Sequence, residues 1–223
     1  MNDKTQDDII KKNQFNQGIM FGEDFLIWVL FAIPSILVAS TVHEYFHAWM
    51  AYKLGDPTAK ANGRLTLNPL PHIDPLGAIM MVIFRFGWSK PVPVNEWNFD
   101  KRRRDLALTA LAGPISNLLL AGVIAILYQI LPDWYLIRFF LFIFATINLS
   151  LAIFNLIPIP PLDGHKIVNG ILPMRLSYYW EALEKYSWIL IILILIPFSP
   201  LSRLVISFIQ STLSFFLGIL GFL

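Results

Sequence analysis

No charged side chain interrupts the chain between Asp105 and Asp133. A helix crosses a bilayer with about 20 mostly apolar residues, and the segment 106–131 meets that length with room to spare. Segments 25–52, 134–157 and 201–223 qualify or come close, while 75–88 and 186–198 are apolar but shorter. Hydrophobic residues make up 56% of the 223 and charged ones 14%, with a mean hydropathy of +0.61, so the solvent for most of this chain is lipid.

The expected fold class follows: an all-α polytopic membrane protein of about five to six transmembrane or re-entrant helices, with a short extended or ribbon segment near residues 88–99. Segment 75–88 contains Arg85 and is too short to cross comfortably, which predicts a re-entrant or strongly tilted path. Pro34 predicts a kink in the first helix, because proline removes one bond of the ladder. Residues 88–99 are rich in Pro, Val and aromatics and suit an extended path. The boundaries read as a polar tail over 1–24, a membrane core over 25–168 and a C-terminal transmembrane hairpin over 169–223. The tail carries both charge signs and lacks the basic-then-apolar order of a cleavable signal.

The net charge of +2 is spread over short Lys and Arg clusters between apolar segments. These fit loop anchors better than a nucleic-acid surface, and nucleic acid is excluded as a partner. With no cysteine, disulfides and thiolate metal sites are excluded as well.

The sequence His43-Glu44-Tyr45-Phe46-His47 lies near the end of the first apolar segment. Residues four apart stack on one helix face, so two imidazoles can reach one ion while Glu44 stands beside it. Zinc suits this pattern, and a neighbouring carboxylate can carry a proton between water and a leaving amine. In a chance string the two histidines would merely cap the polar end of a helix. Ionisable groups inside a membrane are costly and usually functional, which favours the metal. Catalytic zinc takes three protein ligands. Asp56, His72, Asp74, Asp163 and His165 are the polar candidates near segment ends. Asp163 is preferred, since it follows three prolines in an apolar setting, and irregular backbone at membrane depth is tolerated where it is buried or lines a wet cavity. Its alternative role is a turn or a helix cap; His165 is the rival ligand.

Lys101–Arg104 is the densest basic cluster and places the start of segment 106–131 in the cytoplasm. The following segment then returns Asp163 to that face. His47 can share an ion with it only if the first helix runs inward and 75–88 dips and returns. The rival arrangement lets 75–88 cross and separates the candidate ligands by a membrane thickness.

"HEYFH", "LNPLPHIDPLG", "AGPISN" and "NLIPIPPLDGH" stand in this order over residues 25–168. In this the chain resembles the compact prokaryotic form of the site-2 protease family of intramembrane zinc metalloproteases. The resemblance implies a zinc metalloendopeptidase cutting peptide bonds within or near a transmembrane helix of a membrane-protein substrate, as in regulated intramembrane proteolysis. It implies His43, His47 and Asp163 as zinc ligands, Glu44 as catalytic acid and base, and a multi-pass protein of the cell membrane with its site near the cytoplasmic side. Asn155 is expected to hydrogen-bond an unwound substrate, and Asn117 to contact substrate or brace the site. Gly113 would allow close backbone approach, and His72 would occupy a loop or line the substrate path. No PDZ-like insert or nucleotide-binding segment is visible among the 223 residues. A metal transporter would need further ligands on the far side, where the outer helix halves offer almost none, and a silent helix-binding scaffold would have no use for Glu44.

Overall fold

The computed structural model describes residues 23–84, 87–196 and 199–223. The expected tail lies outside these residues except for its last two positions, and so does Arg85. The described elements are helices and turns: α1 (Glu23–Lys53), α2 (Thr58–Ala61), α3 (Pro75–Phe84), α4 (Arg102–Ile130), α5 (Tyr135–Asn155), α6 (Asp163–Ile171), α7 (Met174–Glu181), α8 (Ser187–Leu195) and α9 (Pro200–Ile219). Within them, Val29–Lys53, α4, α5 and α9 are long and apolar enough to cross a membrane, and the chain is a membrane protein.

Helix α4 is the central post, packed against α1, α5 and α6, with α9 leaning on α5. Its contact with α5 and α9 is a closely packed apolar cluster of Ala121, Ile124, Ala125, Leu141, Ala145, Leu149 and Leu217. Lipid tails give apolar helices no solvent-driven reason to associate, so small residues that let backbones approach carry much of the packing. Outward-facing Leu119, Val123, Ile126, Leu204 and Phe215 are exposed, as lipid-facing positions must be. α1 runs unbroken past Pro34. At the other end, α8 has 9 residues and spans about 14 Å, well short of the hydrocarbon core.

Helix α3 has 10 residues and spans about 15 Å, too short to cross. Its flanks meet: Ile73 and Ser89 form an antiparallel bridge, and the Lys90 amide donates to the His72 carbonyl at 2.9 Å. The segment therefore leaves and returns at one level, so α1 ends on the side where α4 begins. Residues 88–95 form neither helix nor strand beyond the single bridge at Ser89, and lead through an extended Asn95 into a 3-10 turn at Glu96–Asn98. Asp56 fastens this ribbon to the end of α1. Its carboxylate accepts from the Asn95 amide (2.7 Å), Asn98 Nδ2 (2.7 Å), the Thr58 amide (3.0 Å) and the Thr58 hydroxyl (2.5 Å). Burial pushes the Asp56 carboxyl up, but these donors outweigh it and hold the group below the usual range.

Candidate metal centre

One face of α1 buries Ala32, Ser35, Ala39, His43, His47 and Ala51. Positions three and four apart lie on the same helix stripe, so the seam that packs with small residues at one end presents imidazoles at the other. His43 and His47 stand edge to face with ring centres 4.5 Å apart. His43 Nε2 lies 3.1 Å and His47 Nε2 3.2 Å from Asp163 Oδ2. All three donor atoms lie within 4.8 Å of one another.

The opposite ring nitrogens decide the tautomers. His43 Nδ1 faces Asn117 Oδ1 at 2.7 Å and His47 Nδ1 faces the Thr109 carbonyl at 2.7 Å. Both partners only accept, so each Nδ1 carries the proton and each Nε2 keeps a free lone pair. Two lone pairs then point at a carboxylate. Three acceptors converging in a buried place need a cation between them, and two imidazoles with one carboxylate are a zinc donor set with room for a further ligand.

Glycine keeps the space open. A Cβ on Gly113 of α4 would collide with the His47 ring and stand 2.7 Å from His43 Nε2, filling the gap between the donors. Asn117 lies one turn along α4, fully enclosed. Its Nδ2 donates to the Ala39 carbonyl (3.0 Å) and to Asn148 Oδ1 (2.9 Å), tying α1, α4 and α5 together behind His43.

Asp163 arrives from an irregular turn. Residues 157–162 are bonded only locally, by Ile159 to Ile157 and Leu162 to Ile159, and α6 starts at Asp163. Gly164 lies so close to the Leu156 and Ile157 carbonyls that any side chain would collide with them, which explains the glycine after the aspartate. At the far end of α6, Arg103 donates to the Asn169 and Leu172 carbonyls, and Gly170 packs against Ala107. Helix α4 thus fixes α6 at its C-terminal end, through a cation placed where carbonyls are orphaned.

Glu44 is 7% exposed and turns away from this cluster's helix contacts toward the ribbon. Its Oε1 accepts from the Ser89 hydroxyl at 2.7 Å and its Oε2 from the Val92 amide at 3.0 Å.

The other expected positions fall elsewhere. Asp74 caps α3 through the Gly77 amide at 2.9 Å. His165 stacks on Trp180 and has Nε2 3.0 Å from that residue's carbonyl. His72 is buried between Arg64 and the Thr66 carbonyl. None of these three, nor Asp56, belongs to the group of converging donors among the described residues. Asn155 is half-buried and donates to Leu151 at 2.9 Å. Asn117, expected to contact substrate or brace the site, has its polar atoms engaged within the protein and braces His43. Thr109, Ser89 and Arg64 were not expected. Thr109 acts through its carbonyl, which any residue would supply, whereas Arg64 was visible only as one more loop cation.

A model of peptidase family M50 matches residues 120–198. The chain is 38% identical over 195 residues to the protein named "Putative zinc metalloprotease YwhC" of Bacillus subtilis (strain 168), covering 82% of this chain and 88% of that protein. Rip2 of Mycobacterium tuberculosis (strain ATCC 25618 / H37Rv), with the same description, is 34% identical over 145 residues, 60% of this chain and 54% of Rip2. MJ0611 of Methanocaldococcus jannaschii, likewise described, is 33% identical over 143 residues, 63% and 71% of the two chains. No solved structure matches the chain.

Proposed function

We propose that this chain, which belongs to peptidase family M50, the site-2 protease family, and is a zinc metalloprotease, cuts peptide bonds within or beside transmembrane helices of membrane-protein substrates. The observation that carries this reading is the convergence of His43 Nε2, His47 Nε2 and Asp163 Oδ2 inside a bundle of membrane-spanning helices. A protease whose reacting group lies among spanning helices acts on what reaches that depth.

His43, His47 and Asp163 hold the zinc, and Glu44 is the acid and base. Zinc held by these residues would supply a Lewis acid for the scissile carbonyl and for water near neutral pH. Glu44 takes the proton from the attacking water and delivers it to the departing amine nitrogen. Asn117 and the Thr109 carbonyl keep both Nε2 lone pairs forward throughout. Asn155, at the end of α5 just before the turn that carries Asp163, hydrogen-bonds the unwound backbone of the substrate. An apolar groove of about 360 Å³ lined by Ile153, Leu156, Ile157, Phe208 and Phe216 flanks that end of α5 and suits an apolar segment.

The site opens toward the cytoplasm of a multi-pass protein in the cell membrane. Gly113 lies about 16 Å along α4 from Arg102, at 1.5 Å per residue, so the donors sit in the half of the bundle nearest the Lys101–Arg104 cluster.

The test uses the full chain in detergent with a single-span helical substrate. Glu44→Gln is expected to keep one zinc per chain and to lose cleavage by roughly a thousandfold, because it removes the proton carrier and no ligand. Cleavage at the parent rate by that variant would remove Glu44 from the mechanism.

A further inference from the structure

A buried guanidinium lies behind Glu44, outside the donor cluster. Arg64 is 6% exposed and has no carboxylate within ion-pair distance among the described residues. Its Nη1 donates to the Pro91 carbonyl at 3.1 Å, and its Nη2 to the Lys90 carbonyl at 2.5 Å and to His72 Nδ1 at 3.3 Å. His72, 1% exposed, completes the clamp: its Nε2–H donates to the Thr66 carbonyl at 2.9 Å, and its own carbonyl accepts the Lys90 amide. A charge is expensive to bury unless its hydrogen bonds are used. Here Nη1 and Nη2 are used on the backbone of the ribbon, on the two residues that separate Ser89 from Val92, while Nε is buried without a partner. Burial pushes the Arg64 guanidinium down from its usual range, and Glu44 is the acid that opposes this.

The ribbon is stiff where it meets Glu44. Pro91 and Pro93 flank Val92 and have no N–H, so the Val92 amide is the one backbone donor of that triplet, and it is aimed at Glu44 Oε2. Ser89 aims its hydroxyl at Oε1 from the other side, anchored by its bridge to Ile73.

We propose that Ser89 is a positioning residue for Glu44, and that Arg64 and His72 act through the ribbon to hold Ser89 and the Val92 amide against both carboxylate oxygens. A carboxylate held by two donors keeps one orientation as substrate arrives, which preserves the geometry that proton transfer needs. The inference rests on Glu44 being the proton carrier.

The experiment measures kcat and KM on the helical substrate for the zinc-loaded parent, Ser89→Ala, Ser89→Thr, Arg64→Gln and Glu44→Gln, with zinc content and thermal midpoint for each. Ser89→Ala is expected to lower kcat about tenfold, the scale of one hydrogen bond to a charged group, with KM within about twofold and zinc unchanged. Ser89→Thr, which keeps the hydroxyl, is expected to restore most of kcat. Hydrogen exchange in zinc-free protein gives an independent readout, because a peptide over residues 91–93 reports the Val92 amide; Arg64→Gln and Glu44→Gln should both speed its exchange. An increase in KM at constant kcat for Ser89→Ala would make the ribbon a substrate surface and overturn the inference, as would parent-like kinetics. If Glu44→Gln is inactive while Ser89→Ala matches the parent, only this inference falls; if Glu44→Gln is active, the reading beneath it falls.

Discussion

The imidazoles and Glu44 are neighbours on one helix, yet they are held by different kinds of structure. His43 and His47 are braced from behind by α4, through Asn117 and the Thr109 carbonyl, inside the spanning bundle. Glu44 is held from the other side by a loop-derived ribbon, through Ser89 and the Val92 amide. In the proposed mechanism, ligands that must keep one geometry are tied to the most deeply packed element, whereas the group proposed to move a proton is tied to a segment outside the bundle. The difference predicts two kinds of failure: faults in α4 should cost metal, and faults in the ribbon should cost turnover.

The strongest way to break that division is to remove a ligand. Asp163→Ala should leave two imidazoles and almost no bound zinc, read as metal per chain by elemental analysis; undiminished zinc would move the third ligand to another residue. Gly113→Val probes the same side without touching a donor. Its side chain would occupy the space between the Nε2 atoms, so zinc should be lost while the helices remain, as judged by circular dichroism. A smaller effect is expected for Asn117→Ala, which frees the His43 ring but keeps all three donors. Zinc affinity should fall about 10- to 100-fold, measured by competition with a chelator, and a value equal to the parent would mean that packing alone orients His43.

The smallest effect belongs to the far end of the ribbon. Asp56→Asn would set an amide N–H against one of the donors now facing the carboxylate, at a cost of about 1–3 kcal/mol, seen as a lower thermal midpoint with zinc unchanged. The sign of the pH effect follows from the depressed carboxyl. Its contribution to stability is fully present above the unfolded value of 3.8 and is lost as pH falls through the lower folded value. The parent should therefore lose this part of its stability in acid, and Asp56→Asn should not show that loss.

Much of the centre was legible in residue spacing. Two histidines four apart on an apolar helix fix a face, and an aspartate among prolines at membrane depth stands out because so little else there is polar. A re-entrant or strongly tilted path for 75–88 is the expectation from its length, whereas the Ile73–Ser89 bridge between its flanks depends on a pairing no local pattern encodes. Spacing carried no trace of the Thr109 carbonyl, since a backbone acceptor leaves no mark on residue type. The same holds for Arg64 and Ser89, whose roles come from contacts 26 and 45 positions away in the chain. Segment 186–198 is apolar along its length, while the helix within it, α8, has nine residues and ends at Leu195.

Thr109, Gly113 and Asn117 follow one another at intervals of one helical turn along α4. A carbonyl for one ring, an empty notch for the ion and an amide for the other ring are therefore threaded on a single rigid rod. Twisting or sliding that rod displaces all three together, so a bilayer or detergent that disturbs α4 should alter the support of both rings and the space between them at once.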